Sequence, residues 1–393
     1  MSTNSQIYLD HAATTPLDPA VFDAMEPYLR EHFGNASSVH RLGRTVRYAV
    51  EESRERVAAQ LGAEPGEIVF TSGGTEANNT AIKGTLHALR RERGTRGALI
   101  TSSMEHEAVL QPAEALQTGG WPVKILDPGP HGAIAPTQVA NAITDDTALV
   151  SLMHANNETG VMNPIPEIAE VCRARGVLLH CDAVQTAGLF NLDVDELGVD
   201  LLSMSGHKFY GPKGVGVLYV RGGVDLDPLV RGGSQERDRR GGTENVAAMV
   251  GLAEAATRAR DAADARRARL KTLQRRMVTQ LRERLGDTFA LNTPLDDAPV
   301  APHIVNVAFP PENGSPVDGE MLLLNLDMKG VMASAGSACT SGALAPSHVL
   351  TALGLPRETA SAAVRFSMGA RTTEDDVDYA VETLTAILQR MRR

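Results

Sequence analysis

Cysteine is scarce in this chain, and its scarcity removes two architectures. Cys172, Cys181 and Cys339 are three thiols among 393 residues, with no C-x-x-C spacing. They are too few and too irregular for a disulfide framework or a zinc knuckle. No metal is expected, and any cysteine with a special role is expected to be reactive. Long apolar runs are also missing. The opening MSTNSQIYLDHAATTP has neither a basic stretch followed by an apolar one nor an Arg-rich amphipathic pattern, so no membrane partner and a cytoplasmic location are expected. Positive charge is in deficit, with a formal net charge of -10, which argues against direct nucleic-acid contact or an anionic membrane as the main partner. No repeat of about 20 to 50 residues is visible.

What is present is enough for a large buried core. Hydrophobic residues make up 42% of the chain, and the length suggests roughly two domains. Short apolar runs bounded by turn residues fall at 68–71, 98–101, 122–126, 148–153, 177–182, 200–204 and 215–220, the pattern of buried strands. Helical patterns at 75–93, 106–118 and 164–175 alternate with them, which predicts an α/β fold with a doubly wound, mainly parallel sheet. Ligands of such sheets gather at the carboxyl ends of strands. From 245 to about 286 the chain is rich in Ala, Arg and Glu without proline, predicting one or two long helices at a domain boundary. Beyond it, apolar runs at 303–309, 331–334 and 364–367 alternate with helical stretches near 318–328, 347–353 and 374–392, predicting a smaller α/β domain.

Lysine is scarce too: Lys83, Lys124, Lys208, Lys213, Lys271 and Lys329 are all there are. A lysine that forms a Schiff base must sit where its pKa is depressed, because only the neutral amine attacks a carbonyl. Lys208 suits this best, following the apolar run Leu-Leu-Ser-Met-Ser inside Ser205-Gly-His-Lys, although a solvated loop lysine would read the same way. Asp182 ends an apolar run and could face a pyridine nitrogen or simply cap a helix. Thr71-Ser-Gly-Gly-Thr, with Gly74 and Thr75, reads as an anion cradle or an ordinary cap. His106 could stack on a cofactor, act as acid and base, or only start a helix. Asn157 and Gln185 are polar tips after strands. Cys339 lies in a run of small residues expected to be an exposed, mobile loop, which favours a functional thiol. Cys181 is expected in the core, and Cys172 without a role.

The order of Tyr8-Leu-Asp-His-Ala-Ala-Thr-Thr-Pro, Thr71-Ser-Gly-Gly-Thr-Glu, Met153-His-Ala-Asn-Asn-Glu-Thr-Gly, His180-Cys-Asp-Ala-Val-Gln, Ser205-Gly-His-Lys, Arg240-Gly-Gly-Thr, Gly336-Ser-Ala-Cys-Thr and Val364-Arg-Phe-Ser resembles the NifS/IscS class of cysteine desulfurases, pyridoxal 5'-phosphate (PLP) enzymes of fold type I, across nearly the whole chain. The resemblance implies a large PLP-binding domain at 15–260, with 1–14 and 261–393 forming the small domain that carries the cysteine loop. It implies that Lys208 holds PLP, Asp182 meets the pyridinium nitrogen, His106 stacks on the ring, and Gln185 and Asn157 orient the ring and its hydroxyl. Gly74, Thr75, Ser205 and His207 would bind the phosphate, joined by Thr243 from the other subunit of a homodimer. Arg365 would grip the carboxylate of L-cysteine, a task suited to its planar fork. Cys339 would take the sulfur as a persulfide and pass it to an iron–sulfur scaffold or another sulfur-acceptor protein, for cluster assembly or tRNA thiolation. Selenocysteine lysis, transamination and a non-catalytic binding platform are the alternatives.

Overall fold

Most of the apolar runs become strands covered on both sides, while the run at 122–126 forms an edge strand whose Lys124 and Ile125 are exposed. The computed structural model describes residues 6–312, 315–335 and 346–392. In chain order the strands are β1 (Ile7–Tyr8), β2 (Ile68–Thr71), β3 (Ala98–Ser102), β4 (Val123–Leu126), β5 (Thr147–Met153), β6 (Leu178–Asp182), β7 (Leu201–Ser205), β8 (Gly216–Val220), β9 (Ala290–Leu291), β10 (Ile304–Ala308), β11 (Val331–Met332) and β12 (Ala363–Ser367). Strands β2 to β8 form one seven-stranded sheet in the order β2-β8-β7-β6-β5-β3-β4. All neighbours are parallel except β8, which runs antiparallel to β2 and β7. The seven expected runs are thus the seven strands of one mainly parallel sheet.

β5 is buried at every residue. Leu149 packs into the cluster on one face, while Val150 and Leu152 pack into the cluster on the other; two covered faces explain its continuous apolar sequence. The polar residues among these strands satisfy one another. Ser151 Oγ lies 2.8 Å from His180 Nδ1, and His180 Nε2 lies 2.9 Å from Ser203 Oγ, a ladder across β5, β6 and β7. Burial pulls His180 down to about 3, so the ring is neutral and donates on one side while accepting on the other.

Helix Arg41–Leu61 starts at His40, whose Nδ1 accepts from the Gly43 N–H, and ends at Gly62 in the left-handed region, where glycine is favoured. Its buried stripe of Val46, Val50, Val57 and Leu61 joins the cluster containing Leu252 and Ala256 of helix Val246–Asp261. The Ala/Arg/Glu-rich stretch forms two helices, Val246–Asp261 and Ala263–Leu285. The expected helix at 75–93 is a continuous run whose middle, Thr80–Gly84, widens to a π-helix between Gly74–Asn79 and Thr85–Arg93.

A second core joins both ends of the chain. Ile7 and Leu9 pack with Leu273 and Met277, with Val305 and Val307 of β10, and with Leu384 of helix Glu374–Met391. β10 pairs antiparallel with β12 and β9, while β1 pairs parallel with β11. β11 is shorter than the expected 331–334, because Ser334 leaves β1 to bridge Arg365. Among the described residues, no helix is long and apolar enough to cross a membrane.

Candidate active site

Strands β7, β6, β5 and β3 lie side by side and parallel, so their carboxyl ends open on the same edge of the sheet. The residues that end or follow them, Lys208, Asp182, Asn157 and His106, line one cavity of about 460 Å³. This is where a ligand of such a sheet belongs. Gly74 and Thr75 reach the cavity from the helix after β2, and Asp10, Ala12, Ala13 and Arg365 reach it from the second core.

Lys208 Nζ donates to the carbonyls of Ala12 at 2.6 Å and Ala13 at 2.9 Å. Burial, with the Arg365 charge adding to it, pulls the ammonium down to about 8. At pH 7 about a tenth of the amine is then neutral, far more than for a free lysine. Asp182 is followed by a turn and not by the helix that a capping role would require, since the next helix is Val194–Leu197. It lines the cavity, its Oδ1 accepts from the Val184 N–H at 3.0 Å, and its Oδ2 accepts from Asn78 Nδ2 at 2.6 Å. His106 caps helix Glu107–Thr118 through Nδ1, 3.0 Å from the Ala108 nitrogen, while lining the cavity. Burial lowers its pKa, leaving a neutral ring.

Ser205, His207, Gly74 and Thr75 also line the cavity. The backbone is tightly drawn in here. Gly73 has φ +150°, and a Cβ on Gly216 of β8 would lie 2.6 Å from the Gly73 carbonyl carbon, so both positions demand glycine. His207 Nδ1 is 3.2 Å from Thr14 Oγ1. Burial, reinforced by the Lys208 and Lys213 charges, holds its pKa at about 4, so it serves as a hydrogen-bond group rather than a cation. Gln185 Nε2 donates to the Ala12 carbonyl at 2.9 Å, and its Oε1 is 3.4 Å from His303 Nε2.

The Arg365 side chain is buried. Its Nη2 pairs with Asp10 Oδ1 at 2.8 Å, and its Nη1 donates to the Asn157 carbonyl at 2.8 Å. The fork expected to grip a substrate carboxylate therefore already meets one from the chain. Thr243 is exposed and absent from the lining of this cavity. Cys339 lies outside the described residues. Cys172 and Cys181 are buried, and burial pushes the Cys172 thiol up to about 12 and that of Cys181 well above its ordinary value, which suits packing rather than chemistry.

Sequence reasoning missed Asp10, Asn78 and Glu105. Asn78 stands one helical turn beyond Gly74 on the same helical run, a spacing that could have flagged it. Glu105, fully buried beside His106, accepts from Ser102 Oγ at 2.7 Å, and burial raises its pKa to about 8.

This set of groups fits PLP. It offers an amine of lowered pKa for the carbonyl carbon, a buried carboxylate for the ring nitrogen and a neutral imidazole for the ring face. A hydroxyl-rich, glycine-drawn end suits a phosphate. Asn78 Oδ1, buried at the cavity wall, has no hydrogen-bond partner among the described residues, as expected of a wall that completes its bonding around a ligand.

The aminotransferase class-V family pattern matches residues 7–380. The cysteine desulfurase IscS of Dictyoglomus turgidum is 45% identical over 98% of this chain and 95% of its own length. A solved NifS-like protein superposes with a TM-score of 0.89 at 35% identity, covering 98% of this chain and all of its own. A structure of SspA in complex with cysteine gives a TM-score of 0.79 at 36% identity over 92% of this chain and 98% of its own. With a parallel sheet whose strand ends converge on Lys208 and Asp182, the chain belongs to the class-V aminotransferase family and, within it, to the PLP-dependent cysteine desulfurases.

Proposed function

We propose that this chain converts L-cysteine to L-alanine and moves the sulfur onto Cys339 as a persulfide, with Lys208 as cofactor anchor and proton carrier. The observation that carries the proposal is the placement of the Lys208 amine, at a pKa of about 8, in the same cavity as the Asp182 carboxylate and the Arg365 fork. PLP, when bound, supplies an electron sink for negative charge at the substrate Cα. Lys208 Nζ would hold the cofactor, and its free amine would take the substrate Cα proton and later return a proton to that carbon. Asp182, fixed at both oxygens by Asn78 and Val184, would face the ring nitrogen. His106 would lie against the ring face, and Gln185 and Asn157 would orient the ring and its hydroxyl. Gly74, Thr75, Ser205 and His207 offer neutral donors to the phosphate.

Arg365 binds the substrate carboxylate, its Asp10 contact being replaced or shared. The Cys339 thiolate then attacks the substrate sulfur. The S–S bond forms as the Cβ–S bond breaks, its electron pair goes to Cβ, and protonation there gives the methyl group of alanine. The sulfur is oxidised to the sulfane level and Cβ is reduced, so no external oxidant is needed. The exposure of Thr243 suits its proposed place against the phosphate of a partner subunit in a homodimer. Acceptors in the cytoplasm would be an iron–sulfur scaffold or a protein that feeds tRNA thiolation.

Cys339→Ala is expected to keep the yellow colour of the bound cofactor while losing alanine and sulfide production from cysteine in the presence of a thiol reductant by at least a hundredfold. Undiminished alanine production would overturn the persulfide route.

A further inference from the structure

The turn after β5 ties together segments that the mechanism needs to meet. Asn156 Oδ1 accepts from the backbone N–H groups of Glu158 and Thr159, both at 2.9 Å, which fixes the turn. Asn156 Nδ2 donates to the Met104 carbonyl at 2.9 Å, two residues before His106. The Asn157 carbonyl accepts from Arg365 Nη1, and Arg365 in turn pairs through its backbone with Ser334, at 2.6 and 3.2 Å. Glu158, buried, accepts from Ser347 Oγ at 2.6 Å. Beside it, His348 Nε2 lies 2.9 Å from the Glu105 carbonyl. Ser334 and Ser347 flank the segment that carries Cys339. Three consecutive residues therefore reach the His106 segment, the arginine and the C-terminal root of the cysteine segment directly, and its N-terminal root only through Arg365.

We infer that Glu158 is a positioning residue for sulfur transfer, holding the C-terminal root of the Cys339 segment in register with the cofactor cavity through its bond to Ser347. This rests on the reading of Cys339 as the sulfur carrier. A buried carboxyl bonded to a serine on another element is costly unless its bonds are made. Burial raises the Glu158 pKa against the opposing effects of Ser347, His348 and Arg365, which keeps it a hydrogen-bonding group. The bond acts on where the thiol is delivered. It leaves the substrate's grip on Arg365 and Lys208 intact.

The test uses the full-length holoenzyme without reductant. It follows persulfide on Cys339 by mass spectrometry and cysteine binding by the change in cofactor absorbance. Glu158→Ala and Ser347→Ala are expected to slow persulfide formation at least tenfold, with less than a twofold change in the half-saturating cysteine concentration. Glu158→Gln, which can still accept from Ser347, should stay within about threefold of the unchanged chain. Should Glu158→Ala fail to fold, Ser347→Ala removes the same bond together with the cap that Ser347 Oγ gives the Val349 and Leu350 N–H groups, and Ser347→Asn, which can still cap those groups while altering the bond to Glu158, separates the two effects. Persulfide formation within twofold of normal in the alanine variants overturns the anchor, as does a loss of cysteine binding that parallels the loss of persulfide. Absence of any Cys339 persulfide in the unchanged chain would overturn the carrier reading itself, and the anchor with it.

Discussion

Glu105 shows how a single buried acid sets a pH response. Its folded pKa of about 8 lies above its ordinary value near 4.5. Between those pH values the folded chain keeps a proton that the unfolded chain releases, so stability falls as pH rises through that window. Glu105→Gln is expected to flatten this slope, with the stability lost between pH 5 and pH 8 reduced by roughly 2 to 4 kcal/mol relative to the unchanged chain. Urea unfolding of the cofactor-free protein across that range checks it, and parallel slopes for both proteins would refute it. Lys208 and Asp182 are legible in the sequence because each terminates or follows an apolar run, which places it at a strand end. Asp10 is not, and Asn78 shows only through its helical spacing from Gly74. Their partners Asp182 and Arg365 stand 104 and 355 residues away, and no local pattern encodes those meetings.

Among elements, the turn around Gln235–Asp238 carries strain with an identifiable clamp. Glu236, Arg237 and Asp238 have φ of 46°, 56° and 66°, a left-handed stretch that costs about 1 kcal/mol or more per residue without glycine. The buried Glu236 carboxylate holds it, bonding both Arg54 terminal nitrogens at 2.8 Å and the Phe70 N–H at 2.8 Å. Glu236→Ala would leave Arg54 buried without that partner, at an expected cost of about 3 to 5 kcal/mol. A change under 1 kcal/mol in urea unfolding would show that the clamp is not what holds the turn. The inner strands of the large sheet are legible because burial on both faces writes itself as nearly continuous apolar sequence, whereas edge strand β4 carries the exposed Lys124 and Ile125. Helix Arg41–Leu61 is harder to see, since Val46, Val50, Val57 and Leu61 are diluted by the charged residues between them.

At the scale of the whole molecule, Thr243 bears on assembly. If it completes the partner's phosphate site, defects in Lys208 and Thr243 placed on different chains should complement. Lys208→Ala and Thr243→Glu homodimers are each expected to be inactive. Reassorted in equal amounts, half the dimers are mixed and each has one intact site, so about a quarter of normal activity should return. No recovery, with mixed dimers confirmed by differential tagging, would mean that each site is built from one chain alone. The joining of both chain ends in the second core is absent from any local pattern, because β1 finds β11 more than three hundred residues later.

The burial of Cys172 and Cys181 has a practical consequence. With both thiols enclosed and their pKa values pushed upward, the native chain should react with a colorimetric thiol reagent at one equivalent, through Cys339, and at three equivalents once unfolded in denaturant. Two or more fast equivalents in the native protein would contradict this. If it holds, the natural sequence is already a single-handle protein: a dye, spin label or crosslinker could be attached at Cys339 alone, with no cysteine removed beforehand.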